Sequence, residues 1–321
     1  MVKSVHAEVR EWLEEHDYET CTRHSRMIGS FARRTAICDI KDVDVLVFLP
    51  TTALDRSPES VLRELKTILE EYPDSTVETS PQRRSIRMDF PDEECSVDIV
   101  PAVADDGLDE PLLIPDRRQK NWILTDPLGY GEALSASNAD SGKKLVPHIK
   151  LSKAWRDEQM QRRKTKSYLL EVIVYHAVTD GAVTLTGKST AQNVHDFFEY
   201  IEEKWGWLMD QGTGTPRVLD PQLDTVLKWE RSHFETFMRR IREAAKWARK
   251  ALSAESDEEA GEQWKKIFGD LWPTAEEVEE EARCAAQEGQ PGTAFVAASG
   301  AVGAPTVVGG VRSPATTFHG E

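Results

Sequence analysis

Cysteine is scarce and unpaired in this chain. The four in 321 residues, Cys21, Cys38, Cys95 and Cys284, form no C-x-x-C pair and no finger-like spacing. That excludes a disulfide framework and a thiolate zinc site. Apolar runs are short, and none approaches the roughly 20 residues that a membrane-spanning helix needs. The opening stretch MVKSVHAEVREWLEEHDYE is too polar for a secretion signal, so a cytoplasmic protein with reduced thiols and no membrane partner is expected. Positive charge is in deficit: 40 basic residues face 56 acidic ones, for a net charge of −16. General nucleic-acid binding needs a basic face, so nucleic acid is not an expected partner. Solenoid-type repeats are absent as well. The length suffices for a large core and two lobes.

What is present centres on Gly29-Ser30 and, twelve residues on, Asp42-Val43-Asp44, within GSFARRTAICDIKDVDVLVFLP. The run Val43 to Leu49, ended by Pro50, reads as a buried strand. Acids are rare in such strands, because an unpaired carboxylate in an apolar core is costly. Alternate side chains of a strand share a face, so Asp42 and Asp44 point the same way. Two carboxylates so placed repel unless a cation sits between them, and hard oxygen donors favour magnesium or manganese. Upstream, Gly29 permits a tight backbone turn, and Ser30 is expected to cap a short helix, Phe31 to Arg34. A helix start with a hydroxyl cradles phosphate. Together the two half-sites point to metal-assisted chemistry on a nucleoside triphosphate.

A two-metal site requires a third carboxylate. Asp98, inside the apolar strand Cys95 to Ala102, is the preferred candidate. Asp89 is a rival, but it abuts the turn Pro91-Asp92-Glu93-Glu94 and reads as solvated there.

GSFARRT, then DVD in an apolar strand, then VDIVPA resembles the polymerase-β-like nucleotidyltransferases. Within them the chain looks like the bacterial cGAS/DncV-like enzymes (CD-NTases), relatives of oligoadenylate synthase and cyclic GMP-AMP synthase. The resemblance runs over roughly residues 1–273, its later phrases VLDP and WKKIFGDLWP carrying no catalytic chemistry. It implies an α+β (mixed α/β) fold: a polymerase-β-like catalytic lobe with a twisted mixed sheet, plus a C-terminal helical lobe. It also implies synthesis of a cyclic di- or trinucleotide from triphosphates such as ATP, in bacterial defence against phage, with the product read by a downstream effector. Two Mg2+ or Mn2+ ions are implied, one held by Asp42, Asp44 and Asp98 and one by Asp42 and Asp44, with Asp98 also a candidate base. Gly29 and Ser30 would hold the triphosphate. In HIKLSKAW, Lys150 matches the family lysine that reaches the triphosphate; in KSYLLE, Ser167 and Tyr168 match the pair that contacts a phosphate and stacks on a base.

The expected organisation is a catalytic lobe over 1–142, its N-terminal helix shared with the second lobe; a helical lobe over 143–273; and an acidic helix with a mobile tail over 274–321. In the first lobe, helices are expected over 4–17 and from Ser57, strands near 20–28, 75–79, 84–90 and 95–100, and an irregular stretch over 103–142. Arg83, Arg84 and Arg87 read as a solvated sheet edge, with phosphate contact as the alternative. In the second, helices are expected near 145–158, from Ser167, from Ser189 or Thr190, and from Asp220, with a loop at Gly206 and 211–216. A protein that binds the tail or activates the enzyme is a further candidate partner, although Glu321 departs from the small terminal residue by which some relatives are conjugated. The alternatives are a superfamily enzyme acting on RNA, a small molecule or a protein, and an inactive nucleotide-binding scaffold.

Overall fold

The computed structural model describes residues 2–21, 25–37, 42–104 and 111–272, with the short segments 295–297, 302–303 and 310–312. The chain divides into two compact units, 1–136 with 222–224, and 137–221 with 225–321. The first holds α1 (Val2–Glu15), β1 (Ser25–Ile28), α2 (Gly29–Ala32), β2 (Asp42–Leu49), α3 (Pro58–Leu69), β3 (Thr76–Val77), β4 (Ile86–Phe90), β5 (Cys95–Ala104), β6 (Leu112–Asp116), β7 (Asn121–Thr125) and the start of α4 (Pro127–Asp140). The strands form one mixed sheet in the order β1-β2-β5-β4-β3, with β6 on β5 and β7 on β6. Strands β2 and β5 run parallel, and the other pairs are antiparallel.

Alternation along the two central strands sorts their side chains. Val43, Val45, Val47, Val97 and Ile99 enter a core with Val9 and Leu13 of α1 and Val61, Leu62 and Leu65 of α3. On the opposite face, Leu46, Phe48, Val100 and Ala102 form a smaller apolar layer, against which Leu128 of α4 packs. Helix α3 starts as its sequence directs: the Ser57 hydroxyl accepts the Ser60 N–H at 3.2 Å, and Pro58 takes the first helical position.

The stretch expected to be irregular is largely regular. Residues 112–125 form the β6–β7 hairpin, and α4 follows. Pro115 and Asp116 resemble turn residues, yet Asp116 is fully buried. Its carboxylate accepts from Arg83 at 2.8 Å, from Arg84 at 2.9 Å, and from the N–H groups of Arg118 and Gln119 at 3.0 Å each. These donors hold it well below the usual carboxylate range despite burial. Arg83 and Arg84 are thus committed to this anchor. Asp126 caps α4, accepting from the Gly129 N–H at 2.8 Å.

The second unit is mainly helical: α5 (Leu145–Gln159), α6 (Ser167–Thr179), α7 (Thr190–Asp210), then β8 (Val218–Leu219) paired with β9 (Val226–Leu227), α8 (Arg231–Leu252) and α9 (Asp257–Phe268). Trp155 is fully buried, its ring 5.0 Å from Phe198 and 5.7 Å from Phe237. Ser189 and Ser256 cap α7 and α9. Gly206 lies buried within α7 rather than in a loop. The helix expected from Asp220 begins only at Arg231; the Asp220 N–H instead donates to the Thr225 carbonyl at 2.7 Å and closes the β8–β9 turn.

His148 of α5 is buried with neither ring nitrogen hydrogen-bonded, against the edge of Phe197 at 5.4 Å. Burial lowers its pKa from about 6.5 to about 4. The folded state therefore resists protonation that the unfolded chain accepts. Stability from this group is complete above about pH 6.5 and is lost as pH falls toward 4, a change of about 3 kcal/mol. Denaturant melts at pH 7.5 and 4.5 check this: His148→Leu is expected to lose less stability on acidification than the wild type, and an equal loss contradicts it.

Beyond Trp272, the described segments Phe295–Ala297 (β10), Val302–Gly303 (β11) and Gly310–Arg312 (β12) pair as a small antiparallel sheet. The acidic helix expected at Glu276–Glu281 lies outside the described residues, as does most of the expected tail. Among the described residues no helix is long and apolar enough to cross a membrane.

Candidate active site

Register brings the three carboxylates of the sequence reading onto one face. In the parallel β2–β5 pair Asp44 sits beside Asp98, and Asp42 beside Ser96. In the β4–β5 hairpin Arg87 is opposite Asp98, and Asp89 opposite Ser96. On the other side Ile28 of β1 pairs with Asp44. This face carries the Leu46 and Phe48 layer further along. The acids thus stand where the apolar cover ends.

Asp42 is exposed, its side chain 63% accessible, while Asp44 and Asp98 are half-buried. Asp98 is pushed up to about 6, first by burial and then by the charge of Asp44, with Arg87 opposing. Its Oδ1 is buried without a hydrogen-bond partner. Asp44 is also raised, by burial first and by Asp42, while Arg33 draws it down. The two arginines do not fully offset burial and mutual repulsion at these carboxylates. The donors are hard oxygens and one is orphaned, which fits a divalent cation. Asp42, however, is drawn aside: Arg87 Nη2 donates to its Oδ1 at 2.6 Å. Among the described residues no three His, Cys, Asp or Glu side chains are gathered closely enough to hold an ion.

Gly29 follows β1 directly, with φ of +74°. A Cβ there would overlap Oδ2 of Asp44, so the turn and the carboxylate lie against each other. Ser30 is inside α2 rather than its cap. The cap position falls to Ile28, whose side chain makes no capping hydrogen bond. The Ser30 carbonyl accepts from the N–H groups of Thr35 at 2.9 Å and Ala36 at 3.1 Å, which folds the segment back on itself.

Lys150, Ser167 and Tyr168 belong to the second unit. Lys150 is half-buried on α5. Lys153, one turn on, is committed to Glu171 through a buried ion pair of 2.7 Å. Ser167 opens α6 and its hydroxyl accepts from Arg156 Nη1 at 2.7 Å. The Tyr168 hydroxyl donates to Asp220 Oδ2 at 2.8 Å.

Two charged neighbours of the acids have roles not expected from the sequence. Arg87 is not a solvated edge residue but part of the cluster, and Arg33, stacked on the Tyr130 ring at 5.1 Å, acts on Asp44. The first was legible: with a tight turn at 91–94, counting back from Phe90 and on from Cys95 sets Arg87 against Asp98.

Residues 1–138 match the Second Messenger Oligonucleotide or Dinucleotide Synthetase domain. Beyond that domain the chain resembles the cGAS/DncV-like nucleotidyltransferases (CD-NTases). It is 27% identical over 289 residues to a cyclic AMP-AMP-AMP synthase of an Acinetobacter species, spanning 84% of this chain and 79% of that one. In fold it is similar to CdnC of Escherichia coli MS115-1, solved with ATP and in a complex with HORMA-deltaN, with a TM-score of 0.66 and 18% identity over 84% of this chain and 90% of CdnC. It is likewise similar to the Bradyrhizobium diazoefficiens CD-NTase CdnG in complex with GTP, with a TM-score of 0.63 and 17% identity over 84% of this chain and 89% of CdnG. The polymerase-β-like α+β fold expected from the motifs is the fold found.

Proposed function

We propose that this nucleotidyltransferase joins ribonucleoside triphosphates, ATP among them, into a cyclic oligonucleotide messenger for an effector of anti-phage defence. The observation that carries the reading is Asp44 beside Asp98 in parallel register, with the Gly29 turn against Asp44. In each step a ribose hydroxyl oxygen attacks the α-phosphorus of a triphosphate, and the bond to pyrophosphate breaks. Gly29 and Ser30 hold the triphosphate. Asp42, Asp44 and Asp98 would hold one ion, and Asp42 and Asp44 a second. Magnesium or manganese bound there supplies a Lewis acid that eases deprotonation of the hydroxyl and offsets charge on the departing pyrophosphate. Asp98, beside Asp44 on the same face, takes up the hydroxyl proton. In the helical unit, Lys150 and Ser167 bind phosphate and Tyr168 offers its ring to a base. A HORMA-like protein is a candidate activator, by likeness of fold to CdnC.

Pyrophosphate release tests the reading. The purified chain with ATP and Mg2+ or Mn2+ is expected to release it continuously, and Asp42→Ala/Asp44→Ala to release at least about a thousandfold less. Equal release by the two proteins contradicts the assignment of the carboxylates.

A further inference from the structure

We propose that Arg87 is the built-in counter-cation of the carboxylate cluster, a positioning residue that holds Asp42 until a divalent ion displaces it. The proposal rests on the reading of Asp42, Asp44 and Asp98 as metal ligands.

The guanidinium is set in place by two strands. Its Nε donates to Asp89 Oδ1 at 3.1 Å, and its Nη2 donates to Ser96 Oγ at 2.8 Å. The Ser96 hydroxyl donates in turn to Asp89 Oδ1 at 2.6 Å. Asp89 and Ser96 are cross-strand partners, so this brace is part of the β4–β5 ladder. From it, Nη2 reaches Asp42 Oδ1 at 2.6 Å on β2. An exposed ion pair ordinarily contributes little, because two long side chains must be ordered to form it. Here the arginine is already ordered by Asp89 and Ser96, and a planar fork loses less freedom for each bond made.

The brace accounts for Asp89. It faces the same side as the candidate ligands, yet it serves the guanidinium. It also bears on the three candidate ligands, which are not gathered closely enough to hold an ion: one of them, Asp42, is engaged by Arg87. A divalent ion attracts all three carboxylates with twice the charge and wins above a concentration that Arg87 sets. On release the guanidinium stays on Asp89 and Ser96, so the exchange needs no movement of strands. Arg87 thereby keeps the acids from repelling one another when no metal is bound, and raises the metal concentration at which the site assembles.

The test is Mn2+ binding to the full chain without nucleotide, read by the electron paramagnetic resonance signal of free Mn2+. Arg87→Met is expected to bind Mn2+ at least about tenfold more tightly than the wild type. Arg87→Lys, which keeps the charge but not the fork, is expected to fall between them. Unchanged or weaker binding by Arg87→Met, including no measurable binding by either protein, overturns the proposal. A lysine variant equal to the wild type also overturns it, since charge alone would then suffice. Should Arg87→Met fail to fold, Ser96→Ala asks the same question by loosening the brace: tighter binding by about threefold supports the proposal, and no change overturns it. Asp42→Ala/Asp44→Ala separates this from the underlying reading. Mn2+ binding retained in that variant removes the ligand assignment itself, whatever Arg87 does.

Discussion

Asp98→Asn is expected to lose activity by about a thousandfold or more and, with divalent ions chelated, to melt at a higher temperature than the wild type. Both halves come from the same carboxylate. Asp98 is half-buried, its Oδ1 has no hydrogen-bond partner, and Asp44 stands beside it. Burial first, then Asp44, lifts its pKa to about 6, against about 3.9 for an unfolded aspartate. A folded pKa above the unfolded one means that the folded state binds the proton more tightly. Wild-type stability in the absence of metal therefore falls as pH rises from about 4 to about 6, and stays lower above that. Asparagine never ionises and escapes the loss. Discounted for solvent screening of a partly exposed group, the gain at pH 7 is on the order of 1–2 kcal/mol, and it vanishes near pH 4. Activity moves the other way, by about a thousandfold or more, because both the ligand oxygen and the proton acceptor are gone. Thermal melts in chelator at pH 4 and pH 7, with pyrophosphate release in Mg2+, check the pair of outcomes. A variant less stable than the wild type at pH 7 would show that burial and Asp44 do not outweigh Arg87 at Asp98.

Gly29→Ala is expected to lower turnover by about a hundredfold or more while the protein stays folded. The residue has φ of +74°, a region that costs an alanine about 1–2 kcal/mol. The added methyl would also overlap Oδ2 of Asp44 and stand 3.0 Å from its carboxyl carbon. The carboxylate must leave its present place to make room, since the Asp44 backbone is fixed between β1 and β5. A misplacement of about an ångström at a reacting centre is enough for a loss of this size. The measurement is kcat beside the thermal midpoint. Wild-type kcat in a folded Gly29→Ala protein would mean that the closeness of turn and carboxylate has no part in the chemistry.

The acid-bearing strand was readable because its pattern is anomalous. Two aspartates at alternate positions in a β-branched run have few structural explanations, and β2 spans Asp42–Leu49 much as drawn. Local signals with one mechanism also read true: Ser57 before Pro58 and Ser189 before α7. What failed was set by distant partners. Pro115 and Asp116 fall in a stretch that reads as irregular until Arg83 and Arg84 arrive to neutralise a buried carboxylate. Asp220 looks like a helix start until its N–H closes on Thr225. Arg87 looks like a surface charge until the hairpin register sets it against Asp98. Ser30 shares a chain position with a cap, but the backbone turns one step earlier, at the positive φ of Gly29.

The most direct measurement is of the product. The purified chain is incubated with the four labelled ribonucleoside triphosphates and Mg2+ or Mn2+, treated with phosphatase, and the products are resolved, with Asp42→Ala/Asp44→Ala alongside. The account predicts a phosphatase-resistant product in the wild type and none in the variant, and leaving out one nucleotide at a time then names the bases. A product that phosphatase degrades, or one that the variant makes equally well, would contradict a cyclising nucleotidyltransferase built on these carboxylates.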